Sequence, residues 1–294
     1  MILRYDVLPN EEGEKISNIL KSKLNISSRL LTKLKMNEKI LVDDKPVFSS
    51  YLVHSGDSIE VKIDFEEEDN IIPEKMNLDI LYEDEYLLAV NKPSGMVVHP
   101  SSYHPNQTLA NGVKFHLNNK KKIRPINRLD RDTSGIVIFA KNEYVQERMI
   151  QSKTIKKEYL AIITGTMDKK VGTINLPIAR KDGSIMEREV NSNGQKAITH
   201  YDVIAESPDK SLSLVHIILE TGRTHQIRVH FAYFKKYILG DTLYGIETNI
   251  INRQSLHAWK LSFLHPITND KIYIKAPLFD DMKNVIEDYK LKYD

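Results

Sequence analysis

A dense cluster of polar residues stands directly before a short apolar run in the middle of the chain. The cluster covers residues 127–135 and the apolar run residues 136–140, which predicts a loop at the mouth of a core followed by a buried strand. Within the cluster, Asp130 lies between Arg128 and Arg131. A carboxylate held near guanidinium groups stays ionised and oriented, as a nucleophile or general base requires. A solvated ion-pair turn on the surface is the alternative interpretation of the same spacing.

The pattern Arg-Leu-Asp-x-x-Thr-Ser-Gly, which begins at Arg128 and precedes the β run, resembles the signature of the RluA/RluD family of pseudouridine synthases. This resemblance implies that Asp130 is the catalytic residue of an isomerase that acts on uridine in RNA. It also implies substrate contacts for the signature residues Arg128, Leu129, Asn127 and Thr133. The family usually has histidine at the position of Asn127, and an asparagine side chain forms hydrogen bonds but does not titrate.

Three further motifs lie in the family's order along the chain. Asn-Lys-Pro-x-Gly and Val-His-Pro span residues 91–100, Lys-x-Tyr ends at Tyr159, and Gly-Arg-Thr-His-Gln-Ile-Arg-x-His contains Arg228. The resemblance implies that Tyr159 packs on the target base and that Arg228 holds the catalytic aspartate by two parallel hydrogen bonds. Lys92 is either a loop cation near the substrate phosphate or part of a structural Pro-Gly turn.

Residues 1–65 form a distinct N-terminal unit in the sequence pattern. Apolar residues at helical spacing predict two helices, and short β segments follow them. This order resembles the small RNA-binding domain named for ribosomal small-subunit protein S-four. In that family, basic side chains on the paired helices contact RNA phosphates, and the matching residues here are Lys21, Arg29, Lys33 and Lys35. A solvated basic helix face is the alternative interpretation.

The remainder of the chain divides into a linker and a larger unit. Residues 66–77 are acidic and contain a proline, which predicts an extended linker that stays off the RNA. Residues 78–294 form the catalytic domain. We expect an α+β fold with a mixed, mainly antiparallel sheet and flanking helices, plus the small N-terminal α/β unit. The active cleft is expected where the signature loop meets a helix that Thr224 caps.

Composition limits the classes of protein that the chain can belong to. It has 294 residues, of which 41% are hydrophobic and 28% charged, and its net charge is +2. This charge is too small to indicate nucleic-acid binding by itself, so local basic patches must provide it. The sequence has no cysteine, its histidines lack the spacing of a zinc pair, and it lacks the glycine motifs of nucleotide sites. We expect no metal, no cofactor, no membrane span, a cytoplasmic location and a monomer.

The resemblance therefore favours an RNA pseudouridine synthase, which detaches uracil at its N-glycosidic bond, turns it and rejoins it through carbon. A target base inside structured RNA must first be flipped out. The appended RNA-binding unit favours large-subunit ribosomal RNA as the substrate, with transfer RNA possible. A non-catalytic RNA-binding or ribosome-assembly protein that keeps the fold is one alternative, suggested by Asn127. A nucleoside or glycoside hydrolase that uses Asp130 and Asp132 is another.

Overall fold

A computed structural model describes residues 1–65, 69–118 and 121–291 of the chain. Residues 66–68 of the predicted linker and residues 292–294 of the predicted catalytic domain lie outside the described residues. Within these ranges, none of the helices is long and apolar enough to span a membrane.

The N-terminal unit contains a four-stranded antiparallel sheet and two helices. Its elements are β1 (Ile2–Asp6), a 3-10 turn (Pro9–Glu11), α1 (Ile16–Ser22), α2 (Ser28–Met36), β2 (Ile40–Val42), β3 (Lys45–Pro46) and β4 (Ser58–Lys62). The strand order is β1-β4-β2-β3. Ser27 caps α2, because its hydroxyl accepts a hydrogen bond from the Leu30 N–H at 3.1 Å. The sequence analysis missed β1, whose residues alternate between exposed and half-buried and form no continuous apolar run.

One ten-stranded sheet forms the centre of the larger unit, and a separate two-stranded hairpin stands beside it. The strands that follow β4 are β5 (Ile80–Glu83), β6 (Leu87–Lys92), β7 (Arg124–Pro125), β8 (Ser134–Ala140), β9 (Lys156–Thr164), β10 (Val171–Asn175), β11 (Ile178–Arg180), β12 (Arg188–Val190), β13 (Ile198–Glu206), β14 (Leu212–Leu219), β15 (Leu256–Leu264) and β16 (Lys271–Lys275). The helices are α3 (Leu109–His116), α4 (Glu143–Gln151), α5 (Gln226–Tyr233) and α6 (Asp280–Asp288).

The strand order of the large sheet is β10-β13-β14-β9-β15-β8-β6-β5, with β16 beside β15 and β7 beside β8. Strands β8 and β15 pair in parallel, and the other strand pairs of the described chain are antiparallel. This arrangement confirms the predicted α+β fold with a mixed, mainly antiparallel sheet.

Strand β8 is buried along its whole length because helices cover both faces of the sheet at this point. Val137 and Phe139 pack in one cluster with α3, whereas Ile136 and Ile138 pack in another with α4. A strand covered on both faces has a continuous apolar sequence and no polar alternation. The signature loop therefore ends on the rigid centre of the fold.

Gly135 lies opposite Ala258 in the parallel pairing of β8 and β15. Its φ is +110°, and a Cβ at this position would lie 2.3 Å from the Ala258 carbonyl oxygen. No other residue type fits this conformation and this spacing without moving one of the strands. The glycine of the signature motif thus fixes the position at which the signature loop enters the sheet.

The N-terminal unit packs directly on α4. The Tyr144 hydroxyl donates to the Leu24 carbonyl at 2.9 Å, and the Ser27 hydroxyl donates to Glu147 at 2.8 Å. Buried residues of α1 and α2 belong to the same apolar cluster as Val145 and Met149. The N-terminal unit is therefore mounted on a helix of the large sheet.

Part of the predicted linker is also packed. Asp69 pairs with Lys114 of α3 at 2.8 Å, Ile71 is buried, and the Asn111 side-chain amide donates to the Ile72 carbonyl at 2.8 Å. These contacts hold the segment against α3, in contrast to the self-repelling, extended connection expected from its charge. The domain boundaries at residues 65 and 78 stay predictions.

The buried His257 of β15 makes fold stability depend on pH. Its Nδ1 lies 2.9 Å from the Ser134 hydroxyl, and burial lowers the pKa of His257 to about 4. A histidine in the unfolded chain has a pKa of about 6.5. Between about pH 4 and about pH 6.5 the unfolded state therefore binds more protons than the folded state does. We expect the free energy of unfolding to fall by about 3 kcal/mol as the pH drops through this window.

Urea unfolding at a series of pH values, with His257→Gln as the comparison, measures this effect. Glutamine can still accept from the Ser134 hydroxyl and donate to the Ala276 carbonyl, which lies 3.4 Å from His257 Nε2. Unlike histidine, it does not titrate. The variant should therefore show a flatter pH profile between about pH 6.5 and pH 4. An unchanged slope in His257→Gln would assign the pH dependence to other groups.

Candidate active site

A cleft of about 1050 Å³ opens where the loop before β8 meets the start of α5. Asp130, Tyr159 and Arg228 line this cleft together, although they are far apart in the sequence. Of the described residues that line it, Asp130 is the only one with a carboxylate. No group of three or more histidine, cysteine or acidic side chains in the described ranges is arranged to hold a metal ion.

Arg228 contacts Asp130 from the first turn of α5. Its Nη1 donates to Asp130 Oδ2 at 2.9 Å, and the exposed fractions of the two side chains are 7% and 29%. The predicted pairing is present, but the two parallel hydrogen bonds were assigned to the wrong carboxylate. Arg228 donates through Nε and Nη2 to both oxygens of Asp241, at 2.6 and 2.8 Å. Asp241 thus fixes the guanidinium, and the guanidinium presents one further N–H to Asp130.

Asp241 is buried and is itself held by a tight loop. Its Oδ1 accepts hydrogen bonds from the backbone N–H groups of Leu243 and Tyr244 at 3.0 and 3.2 Å. Gly240 precedes it with a φ of +74°, and a Cβ there would lie 2.2 Å from the Arg253 carbonyl oxygen. The sequence analysis did not single out Asp241. An acidic residue directly after a glycine, in the pattern Gly-Asp-x-x-Tyr at residues 240–244, is the sequence signal that could have identified it.

The charges in this group are mutually stabilised despite their burial. Burial alone would raise the pKa of Asp241, but the hydrogen bonds and charge of Arg228 outweigh it and lower the pKa. Burial opposes the charge of Arg228 as well, yet Asp241 and Asp130 together raise the pKa of Arg228. Arg228 therefore remains a cation beside Asp130.

His225 is a second neighbour of Asp130 that the sequence analysis did not single out. Its Nε2 lies 3.8 Å from Asp130 Oδ2, and its Nδ1 lies 2.9 Å from the Tyr244 hydroxyl. The backbone N–H of Arg188 donates to that hydroxyl at 2.8 Å, so the hydroxyl can donate its proton to Nδ1. This arrangement leaves the hydrogen of the neutral imidazole on Nε2, facing Asp130. Burial lowers the pKa of His225, against the opposing charge of Asp130.

The backbone at His225 corrects the predicted start of the helix. α5 begins at Gln226 and its N-cap is His225, with a left-handed φ of 57°, whereas the sequence predicted a cap at Thr224. Gln226 is buried and ties the preceding loop together, since its Oε1 accepts from Thr221 Oγ1 and from the Arg223 N–H at 2.8 and 2.9 Å. A left-handed backbone is uncommon outside glycine, although histidine adopts it more often than most residues.

Tyr159 lies on β9, in the middle of the sheet that forms the wall of the cleft. It is opposite Ile217 and Ala258 on the neighbouring strands and packs in the apolar cluster that includes Ile227 of α5. Burial raises the pKa of Tyr159, and the charge of Asp130 adds to this effect. The ring is therefore neutral and its position is fixed by its neighbours.

The two arginines next to Asp130 in sequence do not hold it as the sequence analysis assumed. Arg131 makes a two-point contact with Asp132, at 3.0 and 3.1 Å. Arg128 is exposed on the wall of the cleft. Arg228 orients the carboxylate of Asp130 instead. The loop places the Arg131 guanidinium on Asp132 and leaves the Arg128 side chain exposed.

Asn127, Leu129 and Thr133 all line the cleft, but the polar ones also hold the signature loop. The Asn127 amide donates to the Ile136 carbonyl at 3.0 Å and accepts from the Ile138 N–H at 2.9 Å. Thr133 is buried, and its hydroxyl accepts from Gln254 at 2.6 Å. Asn127 thus serves as a bridge to β8, a role that does not require a titrating group.

Lys92 is not a loop cation that faces the substrate. It ends β6, its exposure is 0%, and its ammonium donates to the carbonyl oxygens of Pro93, Met96 and Arg131 at 2.8, 2.8 and 2.9 Å. Burial lowers the pKa of Lys92 to about 7, although the charges of Asp132 and Asp130 oppose this. All three donors are used by backbone carbonyls, and one of these, at Arg131, belongs to the signature loop. Lys92 therefore supports this loop and cannot reach a phosphate.

The four basic residues predicted to contact RNA fall into two pairs. Arg29 and Lys33 approach Glu143 of α4, at 3.5 and 3.1 Å. Lys21 and Lys35 are exposed. The first pair therefore also helps to dock the N-terminal unit, and the second lies on its solvent-facing surface.

Comparisons with known proteins identify the family of the chain. Residues 86–233 match the family model described as RNA pseudouridylate synthase. The chain is 39% identical over 292 residues to the "Uncharacterized RNA pseudouridine synthase YhcT" of Bacillus subtilis, covering 97% of each chain. It is 32% identical to the "Ribosomal large subunit pseudouridine synthase D" of Haemophilus influenzae, covering 99% of this chain and 96% of that protein. The corresponding enzyme of Vibrio cholerae is 35% identical, with 78% and 76% covered.

A solved structure shows the same fold. The "Human RNA Pseudouridylate Synthase Domain Containing 4" superposes with a TM-score of 0.58 at 22% identity, covering 72% of this chain and 92% of that chain. The chain therefore belongs to the RNA pseudouridine synthase family, whose members are isomerases. Its similarity to the large-subunit enzymes confirms the RluA/RluD branch that the sequence motifs predicted. RNA as the substrate follows from the family.

Proposed function

We propose that this chain converts uridines of large-subunit ribosomal RNA to pseudouridine, with Asp130 as the catalytic nucleophile or base. The observation that carries the proposal is the 2.9 Å contact between Arg228 and Asp130 inside the cleft. A carboxylate that is fixed by a buried cation and accessible from a cavity is suited to attack or to take a proton.

The reaction exchanges one glycosidic bond for another. The bond between the sugar C1′ and N1 of uracil breaks, and a bond between C1′ and C5 forms. The hydrogen on C5 leaves as a proton, and N1 gains one, so the reaction is balanced without an oxidant or reductant. Asp130 acts at the anomeric carbon, at the base or on a sugar proton. Each of these routes needs the ionised carboxylate on the face that the cleft exposes.

The detached base must stay in the cleft while it turns. Tyr159 supplies a neutral aromatic face, and Leu129 packs against the same apolar cluster. Base stacking on an aromatic side chain contributes roughly 1–3 kcal/mol, because every base presents a π-face. An apolar wall of this kind also keeps water from the anomeric carbon, which favours rejoining over hydrolysis.

The choice of ribosomal RNA rests on relatives and on the N-terminal unit. Relatives from three bacteria are named as large-subunit enzymes, and the N-terminal unit resembles the S-four RNA-binding domain. This unit is mounted on α4, which also supplies Gln146 to the cleft wall. A ribosomal substrate is compatible with the expected cytoplasmic location.

Pseudouridine mapping in a strain that lacks this protein tests the substrate. We expect one or a few large-subunit positions to lose the modification and to regain it when the parent protein, but not Asp130→Asn, is restored. Loss of the modification at transfer RNA positions instead would redirect the proposal to that RNA. A map identical to that of the parent strain would count against the proposed activity.

Neutralising the exposed cations of the N-terminal unit tests its role in RNA binding. We expect the double variant Lys21→Gln/Lys35→Gln to bind ribosomal RNA more weakly, with the slope of log K against log[salt] reduced by about one to two. Its kcat should be unchanged, because neither residue is in the cleft. Filter binding at several salt concentrations measures the slope. A parental slope would assign these lysines to a merely solvated face.

A further inference from the structure

A second groove of about 290 Å³ adjoins the active cleft. The two cavities share Arg188, Arg223 and Thr224 in their linings, so they lie on either side of these residues. The groove continues along the β11–β12 hairpin, where Arg180 also lines it. None of the described residues that line this groove carries a carboxylate.

Two of these arginines face each other directly. Arg180 and Arg188 are partners in the antiparallel register of β11 and β12, so their side chains leave the hairpin on the same face. Like charges at directly opposite positions destabilise a strand pair. The neighbouring acids that could offset the repulsion have other partners, since Glu187 pairs with Lys181 at 2.8 Å and Glu189 accepts from Asn191 at 3.2 Å.

Two of the guanidinium groups are also held in place by backbone carbonyls. Arg188 Nη1 donates to the Met186 and Glu187 carbonyls at 3.2 and 2.9 Å, and Arg223 Nε donates to the Lys196 carbonyl at 3.0 Å. These bonds use some of the five N–H donors of each guanidinium and fix its plane. Arg188 and Arg223 are thus pre-positioned cations in the absence of ligand, and Arg180 adds a third cation opposite Arg188.

We propose that this groove binds the sugar–phosphate backbone of the nucleotide next to the target uridine. The inference rests on the proposed function, because the strand must continue from a uridine placed at Asp130. A phosphodiester is the anion that fits, since guanidinium groups bind phosphate oxygens by paired hydrogen bonds. Binding would also neutralise the repulsion between Arg180 and Arg188, so part of the affinity comes from strain present in the free protein.

The variant Arg180→Gln tests the proposal through two changes of opposite direction, a higher Tm and a weaker affinity for RNA. Arg180 is exposed, so its replacement should not disturb packing. Relief of the repulsion should raise Tm by about 1–3 °C. Affinity for a twelve-nucleotide oligouridylate should fall by about tenfold near 50 mM salt, and the salt slope should decrease by about one. Uridine monophosphate, which lacks the neighbouring nucleotide that the groove is proposed to bind, should bind both proteins equally.

Lys181→Gln is the matched control. It removes a cation from the adjacent position, but this lysine is paired with Glu187 and does not line the groove. We expect it to keep the parental oligouridylate affinity and salt slope. Arg223→Gln should reproduce the loss of affinity seen in Arg180→Gln.

Parental affinity and salt slope in Arg180→Gln would overturn the groove proposal, as would an equal loss in Lys181→Gln. A lower Tm in Arg180→Gln would also contradict it, because the arginine would then stabilise the free protein. These results are separable from the main proposal. If Asp130→Asn is inactive while Arg180→Gln binds RNA normally, the activity stands and only the groove is wrong.

Discussion

Asp130→Asn is expected to lower the rate of pseudouridine formation by at least about 10³-fold. Asparagine keeps the shape of the side chain and can still accept the Arg228 hydrogen bond, but it is neither a nucleophile nor a base. Arg228 retains its two bonds to Asp241, so the fold and the cleft should be preserved. RNA affinity should therefore remain close to parental, and the loss should appear in kcat.

Asp132→Asn is the control for this variant. It removes the same charge two residues further along the chain, where the carboxylate pairs with the exposed Arg131 and does not line the cleft. We expect activity near that of the parent. A comparable loss in both variants would show that net charge in the loop, and not the carboxylate of Asp130, is what the reaction needs. It would also support the alternative hydrolase mechanism, in which Asp130 and Asp132 act together.

Asp241→Asn is expected to lower both stability and turnover. Its amide would place a donor against the Arg228 donors and would leave the guanidinium, whose side chain is 7% exposed, without its closest counter-charge. Breaking a buried ion pair from one side costs about 3–5 kcal/mol. A guanidinium displaced by about 1 Å would also misplace Asp130, which can reduce kcat by roughly 10²-fold. Urea unfolding and single-turnover kinetics on the folded protein measure the two effects separately.

The contribution of Asp241 to the free energy of unfolding depends on pH in a definite direction. Arg228 holds the pKa of Asp241 below its usual value, so the folded state stabilises the ionised form. This contribution is complete above the unfolded pKa of about 4 and is lost as the pH falls through the lower folded pKa. The stability difference between the parent and Asp241→Asn should therefore narrow only below about pH 4.

Asp281→Asn is the matched comparison for Asp241→Asn. Asp281 makes the same two-point contact with a buried arginine, Arg253, at 2.5 and 2.8 Å. This pair does not line the cleft, and the Asp281 side chain is 40% exposed. We expect a smaller loss of stability and little change in kcat. Equal losses of turnover in the two variants would mean that Asp241 acts through general destabilisation alone.

Local signals in the sequence predicted the buried strand at the centre of the sheet, and the family resemblance predicted the central pair of the site. The apolar run before residue 140 marks β8 because its two faces are covered by helices, and Asn142 caps α4 as its type and position suggest. The pairing of Arg228 with Asp130 followed from motif resemblance. Its distance of 2.9 Å depends on the packing of α5 against the sheet, which no single motif specifies.

Other features of the site depend on contacts between distant segments and were missed for that reason. Whether Lys92 faces a phosphate or the backbone is decided by the Arg131 carbonyl, which lies 39 residues later. The two hydrogen bonds between Arg228 and Asp241 form only when the loop after α5 folds back against that helix. His225 faces Asp130 because its backbone adopts a left-handed conformation that residue type alone does not predict.

The most direct test of the account is a reaction between the purified protein and large-subunit ribosomal RNA labelled with tritium at C5 of uridine. Tritium release and pseudouridine content are measured on the same samples. We predict one tritium released for each pseudouridine formed, at discrete positions, with neither product in Asp130→Asn. Release of free uracil, or tritium release that persists in Asp130→Asn, would contradict the account.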